Sequence, residues 1–558
     1  MKKIIGLVLI SALLSCNTLG SKDESPDGSI GIAESNVPFV WEAANIYFLL
    51  TDRFNNADPT NDVNFARTEE AAVLRGFEGG DLKGITQKIN EGYFNELGIN
   101  AIWMTPVVEQ IHGFTDEGTG KTYGYHGYWT KDWTAIDPNY GTREDLKKLV
   151  DAAHSKGIRI LLDAVINHTG PVTEKDPQWP DEWVRNDTPC TYQNYETTIT
   201  CTLVKNLPDI RTESNEAVDL PPQLVEKWKA EGRYEEEIAE LDEFFERTGH
   251  PRAPRFYIMK WLADYITDFG IDGYRVDTVK HTEEYVWQEF KEIADHAFAE
   301  YKRNNPGMVL DDNDFYMVGE VYNYSISNGR EFDFGDKKVD YFNNAFQSLI
   351  NFEFKWNAQQ QDIQTIFNRY DDILNAESGD FWVLNYLTSH DDHDPFDKER
   401  EKPFETAIIL LLSPGTSQVY YGDESARSLI IEGTTGDATL RSNMNWDQIS
   451  SDTETREIMD HWKKLGKFRA AHPAVGAGDH EMISQEPYYF SRTFNENGFD
   501  DKVVIGINVP LGAKTIDVNN IFPEGTSLRD FYSGNTAVVK QGRVVINSQS
   551  QIVLLEKE

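Results

Sequence analysis

Brief apolar runs lie at 46–50, 99–104, 158–163, 273–276, 316–319, 349–354, 381–387 and 418–421. Segments with helical spacing fall between most of them, at 146–154 (after a Thr142…Asp145 capping signal), 257–269, 285–301, 363–374, 404–412 and 455–470. Strands alternating with helices imply a parallel sheet, and over this length a closed (β/α)8 TIM barrel is the leading solution. A doubly wound open sheet is the competitor. It is weakened because no glycine-rich phosphate turn follows the first run. One interval, 169–252, is too long for a barrel connection; it carries two cysteines and a solvated helical stretch at 226–245, and reads as an inserted loop subdomain. Beyond Pro473 the pattern changes to alternating strands (502–509, 543–555) with Gly, Asn and Pro turns, which predicts a C-terminal antiparallel β-sandwich over 473–558. The barrel is then expected in two parts, 41–168 and 253–472.

The amino terminus has a different character. Lys2 and Lys3 precede an apolar run, 4–14, that is too short to span a bilayer, as in a secretory signal peptide over 1–15. The run ends Leu13-Leu14-Ser15-Cys16, which resembles a bacterial lipobox and predicts lipidation at Cys16. Residues 16–40 then read as a tether poor in aromatics. The expectation is an exported cell-envelope lipoprotein, monomeric, touching the membrane only through that anchor. In such a chain the isolated pair Cys190 and Cys201 reads as a disulfide. Metal ligation is the alternative, and no His flanks either cysteine at metal-site spacing.

Composition narrows the ligand. The 558 residues carry 93 Asp and Glu against 53 Lys and Arg, a formal charge of −40, so no basic surplus exists to neutralise nucleic-acid phosphates or anionic lipid. The 13 Trp, 25 Tyr and 30 Phe favour a ligand with apolar faces, such as a sugar ring; the alternative is that they only fill the core.

In a barrel the working groups sit at the C-terminal strand ends. There the chain places Asp163-Ala-Val-Ile-Asn167-His168, Arg275-Val-Asp277-Thr-Val-Lys280-His281, Glu320, and Ser389-His390-Asp391-Asp392. A single carboxylate at a strand end is an ordinary helix cap; carboxylates after four strands are not. Together they suit glycoside hydrolysis, which needs one carboxyl kept protonated and a second ionised. Arg275, two residues before Asp277, points to the same side of an extended strand and would hold Asp277 ionised. Glu320, between Val318 and Val321, would stay an acid. The competing reading is a structural ion-pair network.

These four segments resemble, in order, the conserved regions of the alpha-amylase family of glycoside hydrolases. Further matches are Gly76-Phe77-Glu78-Gly79-Gly80-Asp81-Leu82, Tyr125-His126-Gly127-Tyr128-Trp129, Leu207-Pro208-Asp209 and Tyr420-Tyr421-Gly422-Asp423-Glu424. The Leu-Pro-Asp-Ile-Arg-Thr-Glu-Ser wording, Pro221-Pro222 and Arg441-Ser442-x-Met444-Asn445-Trp446 look most like the family's periplasmic branch in Gram-negative bacteria, whose members act on maltodextrins.

The resemblance implies a retaining reaction with Asp277 as nucleophile, Glu320 as general acid/base and Asp391 holding the sugar hydroxyls. It implies that Arg275 supports Asp277 and that His168 and His390 hydrogen-bond the sugar. His126 and Tyr128 would bind and stack on it, and Lys280 and His281 would line the leaving-group side. It also implies calcium on Asn167, Asp209 and the His281 carbonyl, with oxygen ligands as a hard cation requires. A second candidate calcium cluster, Asn56, Asp58, Asn61, Asp62 and Asp81, resembles a loop of cyclodextrin-forming relatives; ordinary turn formation is the alternative. The expected activity is endo-hydrolysis of alpha-1,4-glucosidic bonds in starch or maltodextrins. A transglycosylase or cyclodextrin-preferring enzyme with the same site, and an inactive glucan-binding lipoprotein, stay open.

Overall fold

A computed structural model of the chain describes residues 37–116, 118–376, 381–496 and 498–558. The expected signal segment, Cys16 and all of the tether before Val37 lie outside these residues.

Eight parallel strands close into a barrel: β1 (Asn45–Leu49), β2 (Ala101–Met104), β3 (Arg159–Ala164), β4 (Gly273–Val276), β5 (Tyr316–Gly319), β6 (Ser348–Asn351), β7 (Trp382–Tyr386) and β8 (Thr416–Tyr420). Each pairs with its sequence neighbours, and β1 pairs with both β2 and β8, so no edge is left open. Burial on both faces explains why the strands read as continuous apolar runs. The expected sixth strand overran its end. Asn351 turns its amide to Tyr370 and Asn385, and the helix Glu353–Gln360 begins at once, drawing the apolar Phe354 into helix packing.

The helices between the strands begin at recognisable caps. Thr142 and Asp145 form a reciprocal capping box at the start of α2 (Arg143–Ser155). Asp81 caps α1 (Leu82–Asn90), a helix the sequence reading left out. The barrel closes tightly against its last helix, Thr453–Ala471: a Cβ on Gly466 would lie 2.0 Å from the Leu97 carbonyl, so only glycine fits.

After β3 the chain leaves the barrel and returns at the helix Pro254–Phe269. Within this excursion Cys190 and Cys201 are disulfide-bonded. The expected single helix at 226–245 is two, Pro222–Glu231 and Tyr234–Thr248, parted by Gly232 in a left-handed conformation (φ 76°). Trp179 and Trp183 pack beside Trp133 and Trp261, which anchors the excursion on the barrel's flank.

The last part is a six-stranded antiparallel sheet with a two-stranded ribbon, Gly512–Asp517 and Arg543–Ser548. Ile516, Val544 and Ile546 of the ribbon share one core with Val504, Val553 and Leu555 of the sheet. The expected strand 543–555 is therefore two strands on different layers, with Ile552–Lys557 in the sheet. Among the described residues no helix is long and apolar enough to cross a membrane.

Candidate active site

At the C-terminal end of the barrel opens a groove of about 920 Å³. Asp277, Glu320 and Asp391 all line it, as do His126, Tyr128, His168, Lys280, His281 and His390. Three acids far apart in sequence thus share one cavity of the size that holds small-molecule ligands.

Arg275 organises the floor. Its Nη1 donates to Asp277 Oδ1 (2.7 Å) and to both oxygens of Asp163 (2.9 and 3.1 Å), while Nη2 stands 3.1 Å from Glu320 Oε2. Arg275 and Asp277 lie on the same side because they are two residues apart on extended chain, as the sequence predicted. Asp163, a strand-end carboxylate given no role from the sequence, also accepts from Tyr128 Oη (2.8 Å) and Trp103 Nε1 (3.1 Å). It therefore fixes both the guanidinium and the Tyr128 ring. Arg275 also faces the rings of Trp103 and Tyr128, 5.3 and 5.7 Å from their centroids.

One guanidinium cannot neutralise three buried carboxylates, so one of them holds a proton at neutral pH. Burial pushes Glu320 up to about 8, with Asp277 and Asp391 adding to the rise and Arg275 opposing it. Burial raises Asp163 as well, to about 7. Yet Asp163 only accepts hydrogen bonds, from Arg275, Tyr128 and Trp103, and protonation would cost it one of them. The proton belongs on Glu320, whose Oε2 accepts from the Thr278 amide (3.0 Å). Thr278 adopts a left-handed conformation (φ 49°), which turns that amide toward the carboxyl.

The histidines are neutral and held. Burial lowers His126 and His168, and takes His281 and His390 down to about 4. His126 Nδ1 accepts from the Tyr128 amide (3.1 Å), which leaves its Nε2–H to donate. His168 Nε2 donates to the Tyr128 carbonyl (3.1 Å), and His281 Nδ1 to the Thr198 carbonyl (3.0 Å). The Tyr128 ring stacks with His390 at 5.3 Å and lies beside His126 at 5.8 Å. Asp391 accepts from Ser389 Oγ (2.9 Å) and is 3.8 Å from His390 Nε2. Lys280 Nζ donates to the Tyr322 carbonyl (3.1 Å) and sits 5.0 Å from that ring.

Five further groove residues were given no role from the sequence. Arg441 donates from Nε to the His390 carbonyl (2.9 Å) and pairs through Nη2 with Asp437 (2.5 Å), which also holds Arg75 (2.7 Å). Tyr322 and Tyr192, 54% and 53% exposed as residues, also line the groove. Tyr322 was readable as an aromatic two residues beyond Glu320, and Arg441 stood in the Arg441–Trp446 motif; Arg75, Asp437 and Tyr192 gave no local signal.

The two expected calcium sets differ. Asn167 Nδ2 donates to Asp209 Oδ1 (2.9 Å), yet among the described residues Asn167 Oδ1 and Asp209 Oδ2 are buried without a hydrogen-bond donor. Arg185 Nε is 2.9 Å from Asp209 Oδ2 but misaligned for a hydrogen bond. Two orphaned oxygens, one formally charged, fit a hard cation. In the other set Asn61 Oδ1 is likewise buried without a donor among the described residues, while its neighbours are engaged by the protein itself. Asp81 uses its carboxylate to accept from the amides of Ala57, Asp58 and Gly84, as a helix cap, and Asp58 pairs with Lys83 at 2.5 Å. Asn56 donates to Asp62, and this loop closes on itself as a turn; Asn61 lies in its short helical piece, Pro59–Asn61. Among the described residues no group of three or more His, Cys, Asp or Glu side chains is arranged to hold a metal.

A closed parallel barrel whose carboxyl-terminal mouth gathers buried carboxylates and aromatic rings in one groove defines a (β/α)8-barrel enzyme. The family described as "Alpha amylase, catalytic domain" matches residues 48–477. The chain is 35% identical to the periplasmic alpha-amylase of Escherichia coli K12 over 85% of this chain and 73% of that protein. It is 27% identical to the cyclomaltodextrin glucanotransferase of Geobacillus stearothermophilus, over 88% of this chain and 64% of that protein. In structure it resembles the alpha-amylase of Geobacillus thermoleovorans solved with acarbose, with a TM-score of 0.64 at 23% identity, over 93% of this chain and 100% of that one; this likeness concerns the fold. The chain belongs to the alpha-amylase family of glycoside hydrolases.

Proposed function

We propose that the protein is a retaining endo-hydrolase of alpha-1,4-glucosidic bonds in starch and maltodextrins. The observation that carries this is Arg275, one buried cation set between Asp277 and Glu320 at the floor of a sugar-sized groove. Asp277, bound to Arg275, is the ionised nucleophile. It attacks the anomeric carbon while Glu320 gives its proton to the departing glycosidic oxygen. The glycosyl ester on Asp277 is then hydrolysed by water that returns its proton to Glu320. Asp391 holds ring hydroxyls and favours the positive charge that develops on the sugar. Tyr128 and His126 pack on the glucose unit being cleaved, and His168 and His390 offer hydrogen bonds to its hydroxyls. Lys280 and His281 line the leaving-group side.

In this reading the catalytic barrel spans 41–168 and 253–472, with a subdomain at 169–252 and a β domain at 473–558. Asn167, Asp209 and the His281 carbonyl hold one structural calcium, which pins the excursion to the barrel. The protein is exported, as the periplasmic relative supports, and is anchored at Cys16 as a monomeric lipoprotein.

The test is Asp277→Asn, which is isosteric and keeps an oxygen toward Arg275. Starch cleavage should fall at least a thousandfold with the fold intact by circular dichroism; near-normal turnover would refute the assignment. Products from maltoheptaose distinguish the rival chemistry, since species longer than the substrate would identify a transglycosylase.

A further inference from the structure

We propose that the loop closed by Cys190–Cys201 is a specificity element, presenting the Tyr192 ring as a stacking platform for a glucose unit on the leaving-group side. This inference rests on the hydrolase reading above.

Tyr192 lies between the two cysteines and lines the same groove as Asp277 and Glu320. More than half of the residue is exposed, so its surface is available to a ligand in the groove. Its backbone is left-handed, with φ 56°, a conformation unfavourable for a bulky residue and sustained only where the surroundings impose it. The surroundings here are the loop itself. The amides of Thr191 and Tyr192 both donate to the Thr197 carbonyl (3.3 and 3.4 Å), and the Cys190 amide donates to the Thr202 carbonyl (3.1 Å). The disulfide closes the same short stretch covalently.

Two contacts tie this loop to the site. The Thr198 carbonyl accepts from His281 Nδ1 (3.0 Å), and the Tyr192 ring meets the His281 ring edge-to-face at 5.9 Å. Tyr195 reaches past them to Glu284 and, through its amide, to Asp336 (2.9 Å). The loop is therefore braced against the connection that follows β4, which also bears Asp277. An exposed ring held there has the geometry to cover one face of a pyranose, whose axial C–H groups are apolar. The Tyr192 hydroxyl is 3.4 Å from the carbonyl of Leu203, just beyond the disulfide loop, so the face of the ring is what is offered to a ligand.

The experiment compares kcat/KM for maltotriose and maltoheptaose in the full chain, Tyr192→Ala, Tyr192→Phe and the double variant Cys190→Ser/Cys201→Ser. Tyr192→Ala should cut the preference for maltoheptaose over maltotriose about five- to tenfold, chiefly through KM. Tyr192→Phe should keep that preference, since the ring face carries the interaction. The cysteine variant should lose the preference as Tyr192→Ala does, and combining the two should add little. An unchanged preference in Tyr192→Ala would overturn the proposal, as would a Phe variant no better than Ala. If the unmodified chain cleaves neither oligosaccharide, the hydrolase reading fails and takes this inference with it; if it cleaves both and the variants match it, the inference alone fails.

Discussion

Replacing His472 by glutamine removes one positive charge from the junction between the last barrel helix and the C-terminal sheet. His472 Nδ1 donates to Asp501 Oδ1 (2.8 Å) and Nε2 to Glu556 Oε2 (2.7 Å), so the ring with both nitrogens protonated bridges two strands of that sheet. Burial alone would depress the imidazole, but the hydrogen bonds to the two carboxylates outweigh it and push His472 up to about 9. A native-state value above the unfolded one means that folding binds a proton. The stabilisation is therefore complete below the unfolded value near 6.5 and is lost as pH rises through about 9. At about 1.4 kcal/mol per pH unit of displacement, the charged bridge is worth about 3 kcal/mol at pH 6 and close to nothing at pH 10. The side chain is only 12% exposed, so solvent screening takes little from that figure. The assay is thermal unfolding of the full chain and of His472→Gln, followed by circular dichroism from pH 6 to pH 10. Differencing the two curves cancels the titrating groups that His472 does not touch, and its partners Asp501 and Glu556 titrate as carboxylates. The variant should melt several degrees lower at pH 6, and the gap should close by pH 10. A gap that is constant, or that widens toward alkaline pH, would refute the reasoning, because only the charge on His472 has this direction.

Two other expectations concern the groove and its flank. Glycan cleavage should decline as pH rises through about 8, where Glu320 loses its proton; Glu320→Gln should lower kcat at least a hundredfold and flatten that alkaline limb, and a limb that survives the substitution would assign it to another group. Excess chelator should lower the melting temperature of the full chain, since a cation bound only by the folded state adds stability. Asp209→Asn should abolish that response, whereas Asp81→Asn should leave it in place; the reverse pattern would move the cation to the other loop.

How far the sequence could be read follows from the distance over which each interaction acts. The barrel strands were legible because burial on both faces imposes a local pattern, and α2 because a capping box is complete within four residues. The pairing of Arg275 with Asp277 was legible for the same reason, through the two-residue period of extended chain. The reading was incomplete where one residue type serves two local purposes. Asp81 stands out as a cation ligand beside other Asn and Asp residues, and the apolar positions Leu82, Ile85 and Ile89 that follow also make it the cap of a helix. Gly232 sat in plain view inside the stretch read as a single helix. What no local pattern could reveal is the division of labour among the carboxylates. Asp163 and Glu320 are both acids at strand ends, and only folding gives one of them Trp103, Tyr128 and both oxygens of an Arg275 contact, while the other gets a backbone amide and a share of the same guanidinium. The proton goes to the acid with fewer donors, so the chemical roles are set by hydrogen bonds between segments 35 to 112 residues apart. Changing Asp163 should therefore alter the pH dependence of Glu320 although Asp163 makes no claim on the substrate, and this coupling runs through Arg275.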